Sequence, residues 1–161
     1  MQTLPQIEQT YEGKIRFVLR NFPVHGDTAV KLAEAALCAG DEGKFWEYHD
    51  KLWENLSASQ QQAQTGVDAL VTALKGYASD LALDTAAFND CLDSDKYLSQ
   101  VTKDAQDAQS YGVTGTPGFF INGVQVIGAQ PFSVFQQAID AALGGSQPGS
   151  ASPTVPSGGG G

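Results

Sequence analysis

Residues 113–131 read VTGTPGFFINGVQVIGAQP, and two short apolar runs in this stretch meet at an Asn-Gly pair. Phe119, Phe120 and Ile121 form the first run and Val124 to Ile127 the second, with Asn122-Gly123 between them. Asn-Gly flanked by apolar residues predicts a two-residue type I′ hairpin, because that turn needs positive φ at both central positions. Thr116-Pro117 stands just ahead of the first run, where a proline without an N–H belongs. Downstream, Gly128-Ala129-Gln130-Pro131 leaves the hairpin and opens a helix with proline in its first turn. Phe132, Phe135, Ala138, Ile139 and Ala142 follow at helical spacing, and Gly144 is the expected stop. The segment therefore reads as Thr-Pro loop, hairpin, helix.

Upstream of it the chain is mostly helical. Leu4, Ile7 and Tyr11 recur at i, i+3 and i+7, which predicts the end of a helix closed by Gly13. Lys14 to Leu19, KIRFVL, places Ile15, Phe17 and Leu19 on one face and predicts a strand. A helix is expected from Asp27 or Thr28 through Cys38, with Val30, Ala33 and Leu37 inward and Gly40 past its end. A second carries Phe45, His49, Leu52, Trp53 and Leu56, and SASQQQAQTG reads as a polar connection. Val67, Leu70, Val71, Leu74, Tyr77 and Ala78 make an amphipathic stripe. Asp84 caps a short helix bearing Phe88, Cys91 and Leu92, and the Asp93-Ser94-Asp95 cluster separates it from a last helix with Leu98, Val101, Ala105 and Ala108. After Gly144, SQPGSASPTVPSGGGG holds almost nothing that can be buried and reads as a flexible tail over 145–161.

This order, with the phrases EAALCAGDEGKFWEYHDKLW and FNDCLDSDKY and the Thr-Pro loop, resembles the DsbA-like thiol:disulfide oxidoreductases of the thioredoxin superfamily. The resemblance covers roughly Thr3 to Leu143. It implies an α/β fold, a thioredoxin-like sheet with its first strand missing and a large α-helical insertion over about 27–111, all in one domain spanning 1–144. It also implies a cis Thr116–Pro117 bond, in a loop of Thr114, Gly115, Thr116 and Pro117 that flanks the reacting sulfurs and offers backbone groups to an extended substrate. Members of this family exchange disulfides with exported proteins through a low-pKa cysteine of a CxxC at a helix start. No CxxC occurs among the 161 residues, so that pair is expected upstream of Met1, and the chain is expected to be inactive alone. The alternative is a non-catalytic thioredoxin-like binding or structural module.

Cys38 and Cys91 are poor substitutes for the missing pair. Cys38 lies at the C-terminal end of its expected helix, where the dipole disfavours a thiolate, and Asp41 and Glu42 follow. Cys91 lies between Asp90 and Asp93. The resemblance supports a structural disulfide between them, since some members carry a second, non-catalytic pair in the insert. Two buried thiols packed as small hydrophobes remain the other reading.

Composition bounds the rest. The chain has 42% hydrophobic and 17% charged residues, as a globular domain does. Its net charge of −9 argues against a nucleic-acid partner, and no apolar run approaches the about 20 residues of a membrane helix. No signal peptide is visible at the N-terminus, so a signal or anchor would also lie upstream. The resemblance implies an extracytoplasmic setting, thiol-containing protein substrates, a redox-recycling partner and no cofactor. His25 and His49 with the two cysteines lack zinc-site spacing, so no metal is expected. His49 reads as a core or boundary histidine and His25 as a loop residue, and the aromatic stripe Phe45, Trp46, Tyr48 and Trp53 reads as core packing, with the lining of a peptide groove as the alternative. Gly112, Gly115, Gly118 and Gly123 read as turn glycines, since no Lys-Ser/Thr follows them.

Overall fold

The computed structural model describes residues 3–144; the expected tail at 145–161 lies outside them. Among the described residues are eight helices and two strands, a helix-rich α/β chain. They fall into two compact units.

One unit, Leu19–Thr114, is helical. Its elements are α2 (Asp27–Gly40), α3 (Phe45–Glu54), α4 (Leu56–Thr65), α5 (Val67–Asp80), α6 (Thr85–Asp93) and α7 (Leu98–Ser110). The α5 stripe packs as its spacing predicts, with Leu70, Leu74 and Ala78 fully buried against Ala35, Ala39, Phe88 and Leu92. Asp84 caps α6, its carboxylate accepting the amides of Ala86 at 3.0 Å and Ala87 at 3.1 Å. Tyr48 is the largest fully buried side chain, and its hydroxyl donates to the Leu74 carbonyl at 2.7 Å.

Three expectations are corrected here. The polar connection SASQQQAQTG is largely helix: α4 takes Leu56–Thr65, held by the buried Ser59 hydroxyl 3.4 Å from that of Tyr77 and by Ala63 against the core. Helix α2 buries Glu34, Ala35, Cys38 and Ala39 rather than Val30, Ala33 and Leu37, which are only half-buried. Of the aromatic stripe Tyr48 is core and half-buried Phe45 packs against it, but Trp46 and Trp53 are 43% and 54% exposed. Small residues let the neighbouring helices of α2 approach closely, so Ala and Cys take the inward face that larger apolar residues would crowd.

The other unit joins residues up to Val18 to those from Gly115. It holds α1 (Thr3–Thr10), β1 (Gly118–Ile121), β2 (Val124–Ile127) and α8 (Phe132–Leu143). Strands β1 and β2 pair antiparallel, Ile121 with Val124 and Phe119 with Val126. Asn122 (φ 46°) and Gly123 (φ 88°) supply the two positive φ angles that the turn requires. Ile7, Tyr11, Val126, Phe135 and Ile139 form the core, with Phe119 edge-on to Phe135 at 4.8 Å between ring centroids. The Tyr11 hydroxyl donates to the Asp140 carboxylate at 2.7 Å and ties the end of α1 to α8. Helix α8 begins one residue later than expected, with Pro131 extended before it.

The strand expected over Lys14 to Leu19 does not form. Ile15, Phe17 and Leu19 keep the alternating half-burial of a strand, but no ladder includes them, and the sheet has two strands among the described residues. A strand is defined by its partner's hydrogen bonds, so an alternating pattern without a neighbour stays merely extended.

Candidate functional site

The Thr-Pro loop starts where α7 stops. Gly112 takes φ 77°, and the Val113 amide turns back to the Ala108 carbonyl at 2.9 Å, which ends the helix. Thr114 closes the helical unit and is exposed; Gly115 and Thr116, exposed in turn, open the hairpin unit. Half-buried Pro117 follows, after a cis peptide bond. Its carbonyl accepts the Gly128 amide at 2.9 Å and extends the ladder one step beyond β1. The register alternates, so the backbone groups of Gly118 and Phe120 turn away from β2.

Among the described residues, neither the backbone nor the hydroxyls of Thr114, Gly115 and Thr116 make a hydrogen bond. Three consecutive exposed residues thus keep both donor and acceptor open to solvent or to an incoming backbone. Nothing in the loop titrates, so it can position a backbone but supplies no acid, base or nucleophile.

Cys38 of α2 and Cys91 of α6 are joined in a disulfide, with their Cα atoms 5.9 Å apart. They are 2% and 7% exposed, and both lie in the helical unit, whereas Gly115, Thr116 and Pro117 belong to the hairpin unit. The chain has no free cysteine. Beside the bridge the Asp41 carboxylate accepts Lys96 Nζ at 2.8 Å and also the Tyr97 hydroxyl. The Lys96 ammonium, then the Tyr97 hydroxyl, hold the Asp41 carboxyl below its usual range.

Two buried carboxylates were not singled out from the sequence. Glu34 is 1% exposed, with Oε2 3.0 Å from Lys31 Nζ and Oε1 without a hydrogen-bond partner among the described residues. Lys31 also donates to the Leu92 carbonyl at 3.2 Å and to Asp95. Burial pulls the Lys31 pKa down, but the bonds to Asp95 and Glu34 outweigh it and leave it raised. Asp104 is 5% exposed; it accepts the Asn21 amide at 3.1 Å and pairs with Arg20 at 2.7 Å. The available signal was positional: Glu34 precedes Ala35 and Cys38 on one face, and Asp104 lies three residues after Val101. Both act as buried anchors for the lead-in segment and α2.

Both histidines lie in the helical unit. His49 Nε2 accepts the Trp53 indole N–H at 3.0 Å, and Nδ1 lies 3.0 Å from the Asp50 carboxylate, so both ring nitrogens are engaged. Exposed His25 lies in the turn before α2. No cluster of metal-ligating side chains occurs among the described residues, and none of their helices is long and apolar enough to cross a membrane.

Comparison with known proteins agrees with this architecture. A family model described as thioredoxin matches residues 1–141. The chain is 35% identical over 136 residues to the Na(+)/H(+) antiporter NhaA 1 of Salinispora arenicola, covering 83% of this chain and 19% of the antiporter. It is 28% identical over 144 residues to the probable disulfide bond formation protein D of Bacillus cereus, covering 87% of this chain and 64% of that protein. The crystal structure of a thioredoxin-like oxidoreductase from Silicibacter pomeroyi superposes with a TM-score of 0.68 at 26% identity, covering 88% of this chain and 76% of that one. The chain therefore spans about a fifth of the antiporter's length and less than two thirds of the Bacillus protein's. With nearly all of its described residues inside the family model and an oxidoreductase of the same fold as structural neighbour, the chain belongs to the thioredoxin family and has a thioredoxin-like fold.

Proposed function

We propose that this chain is the substrate-docking portion of a DsbA-like thiol:disulfide oxidoreductase that acts on exported proteins. In this reading residues 1–144 are one domain with the helices of about 27–111 as its insert. The observation that carries it is the run of open backbone groups at Thr114, Gly115 and Thr116, leading through Pro117 into the edge of a hairpin. An extended substrate segment could add its own backbone bonds there, the usual way a strand edge reads a peptide. Cys38 and Cys91 pair across the helical insert and no CxxC occurs, so the CxxC pair of that mechanism would come from outside these 161 residues. Exchange would run through a mixed disulfide between that pair and the substrate thiol. A recycling partner would then restore its redox state.

The Bacillus relative named for disulfide bond formation supports this chemistry. An oxidising, extracytoplasmic setting is supported by the Cys38–Cys91 bridge, because such bonds persist where thiols are not kept reduced. A second reading, a non-catalytic binding module, is favoured by the antiporter relative, in which the matching region is 19% of the protein.

Two measurements separate them. An extended cysteine-containing peptide, its thiol methylated, is titrated into the isotope-labelled chain. The docking reading expects amide shifts centred on Gly115, Thr116 and Gly118; shifts confined to the helical unit would sink it. In an insulin-reduction assay the chain alone should be no faster than glutathione. Turnover abolished by Cys38→Ser would overturn the assignment of that bridge as non-catalytic.

A further inference from the structure

An open depression of about 590 Å³ lies against the helical unit's disulfide. Its walls are Asp41, Glu42, Ala87, Asp90, Cys91, Ser94 and Lys96, so of the two bridged cysteines Cys91 belongs to the lining and Cys38 does not. Cys38 is the more buried partner, at 2% exposure against 7% for Cys91. The wall is built around Cys91: its carbonyl accepts the Ser94 hydroxyl and the Lys96 amide, each at 3.2 Å.

The charges in that wall are unequal. Three carboxylates, Asp41, Glu42 and Asp90, face one cation, Lys96. Asp41 spends its charge on Lys96 at 2.8 Å. Glu42 accepts the Asp84 amide at 2.9 Å, which orients it without neutralising it. No hydrogen bond or ion pair among the described residues engages the exposed Asp90 carboxylate, on the residue next to Cys91. Two negative charges thus remain uncompensated in the wall that Cys91 lines.

We infer that the Cys38–Cys91 disulfide exchanges with external thiols through Cys91, and that the carboxylates around it select uncharged or cationic thiols over anionic ones. An attacking thiolate forms a bond to Cys91 Sγ as the Sγ–Sγ bond breaks, and the electron pair leaves on Cys38 Sγ, which takes a proton from solvent. A second thiolate attacks the external sulfur of the mixed disulfide and releases Cys91 as a thiolate. The disulfide is thereby reduced by two electrons and two thiols are oxidised to one external disulfide. Like charges at the attack site lower the local concentration of an anionic nucleophile and raise that of a cationic one. An acidic tripeptide thiol such as glutathione is therefore disfavoured, whereas a protein thiol flanked by basic residues is admitted. This behaviour belongs to the helical unit and does not depend on the docking role of the Thr-Pro loop.

The test compares three small thiols on the folded chain: cationic cysteamine, neutral 2-mercaptoethanol and anionic mercaptoacetate. Rates are normalised to thiolate concentration and to the same thiols acting on the uncharged hydroxyethyl disulfide. We expect cysteamine to exceed mercaptoacetate by about tenfold at low salt, with the gap collapsing in molar salt. Asp90→Asn should narrow the gap and Lys96→Gln should widen it; both positions are exposed, so neither variant threatens the fold. Acid quenching after brief exposure, followed by alkylation, should find the external thiol on Cys91 and the alkyl group on Cys38. Four results would overturn the inference: a charge order no steeper than for the reference disulfide, a gap indifferent to Asp90→Asn, an adduct on Cys38, or reduction only after global unfolding.

Discussion

The helical unit and the hairpin unit solve the same problem, burying an apolar face, with different completeness. In the helical unit Ala35, Ala39, Tyr48, Leu70, Leu74, Ala78 and Leu92 are all at 0% exposure, and a disulfide closes 53 residues of chain. In the hairpin unit every core residue keeps a few per cent of its surface, and Ile127 on β2 is 68% exposed. Helices satisfy their backbone bonds within themselves, so a bundle needs only apolar faces to close. A two-stranded sheet leaves outward edges and is marginal unless something packs on it, and here α1 and α8 do so. Completeness favours rigidity in one unit, while the other leaves the backbone of Gly115 and Thr116 without a hydrogen bond among the described residues.

The sharpest way to break this contrast is to remove the bridge. Replacing Cys38 and Cys91 together with alanine reopens a loop worth about 4 kcal/mol of denatured-state entropy. Native-state hydrogen exchange should then speed by about a thousandfold at Ala35, Leu70 and Leu92, the residues of the helical core. Amides of Val126 and Ile139 should change far less; equal acceleration in both places would erase the distinction between the units.

Cavity formation sharpens the comparison further. Leu74→Ala empties a fully buried site and should cost about 3 kcal/mol, because close-packed neighbours cannot collapse into the space. Ile139→Ala, at 5% exposure, should cost about 2 kcal/mol for the same chemistry. Denaturant titration of both variants measures the ordering, and a larger loss at Ile139 would reverse it.

How much of this was legible beforehand differs by the kind of force involved. The hairpin could be read because Asn122-Gly123 carries its geometry locally, and α5 because Leu70, Leu74 and Ala78 repeat at helical spacing. Helix α4 was missed because its Ser and Gln positions show no apolar stripe; what holds it is a contact with Tyr77 that only the folded chain makes. The inward face of α2 was misread by rotation, since alanines and Cys38 bury there beside a charged Glu34 that no hydrophobicity pattern would place inside. At the candidate site Thr116-Pro117 was visible as a proline ahead of a strand. The open backbone around it was expected only through the resemblance, because hydrogen bonds left unmade have no sequence signature. Cys38 and Cys91 could be proposed as partners only through resemblance; their pairing is a fact of the fold.

The smallest effect concerns a polar tie at the edge of the hairpin unit's core. Tyr11 is 4% exposed and donates to Asp140, and burial first, then that hydrogen bond, push its pKa from the ordinary 10 up to about 12. A raised pKa means that folding favours the protonated phenol. The stabilisation is therefore fully present below pH 10 and disappears as pH rises through about 12. Tyr11→Phe should cost about 1 kcal/mol at neutral pH, since Asp140 is exposed and recovers water in place of the phenol. The variant should also lose the part of the alkaline destabilisation that falls between those two pH values. Ultraviolet tyrosinate titration of the native chain minus the variant should show one phenol with a midpoint near 12. A midpoint near 10 would mean that the α1–α8 tie is not closed in solution, and the hairpin unit would then be looser still beside its helical neighbour in sequence.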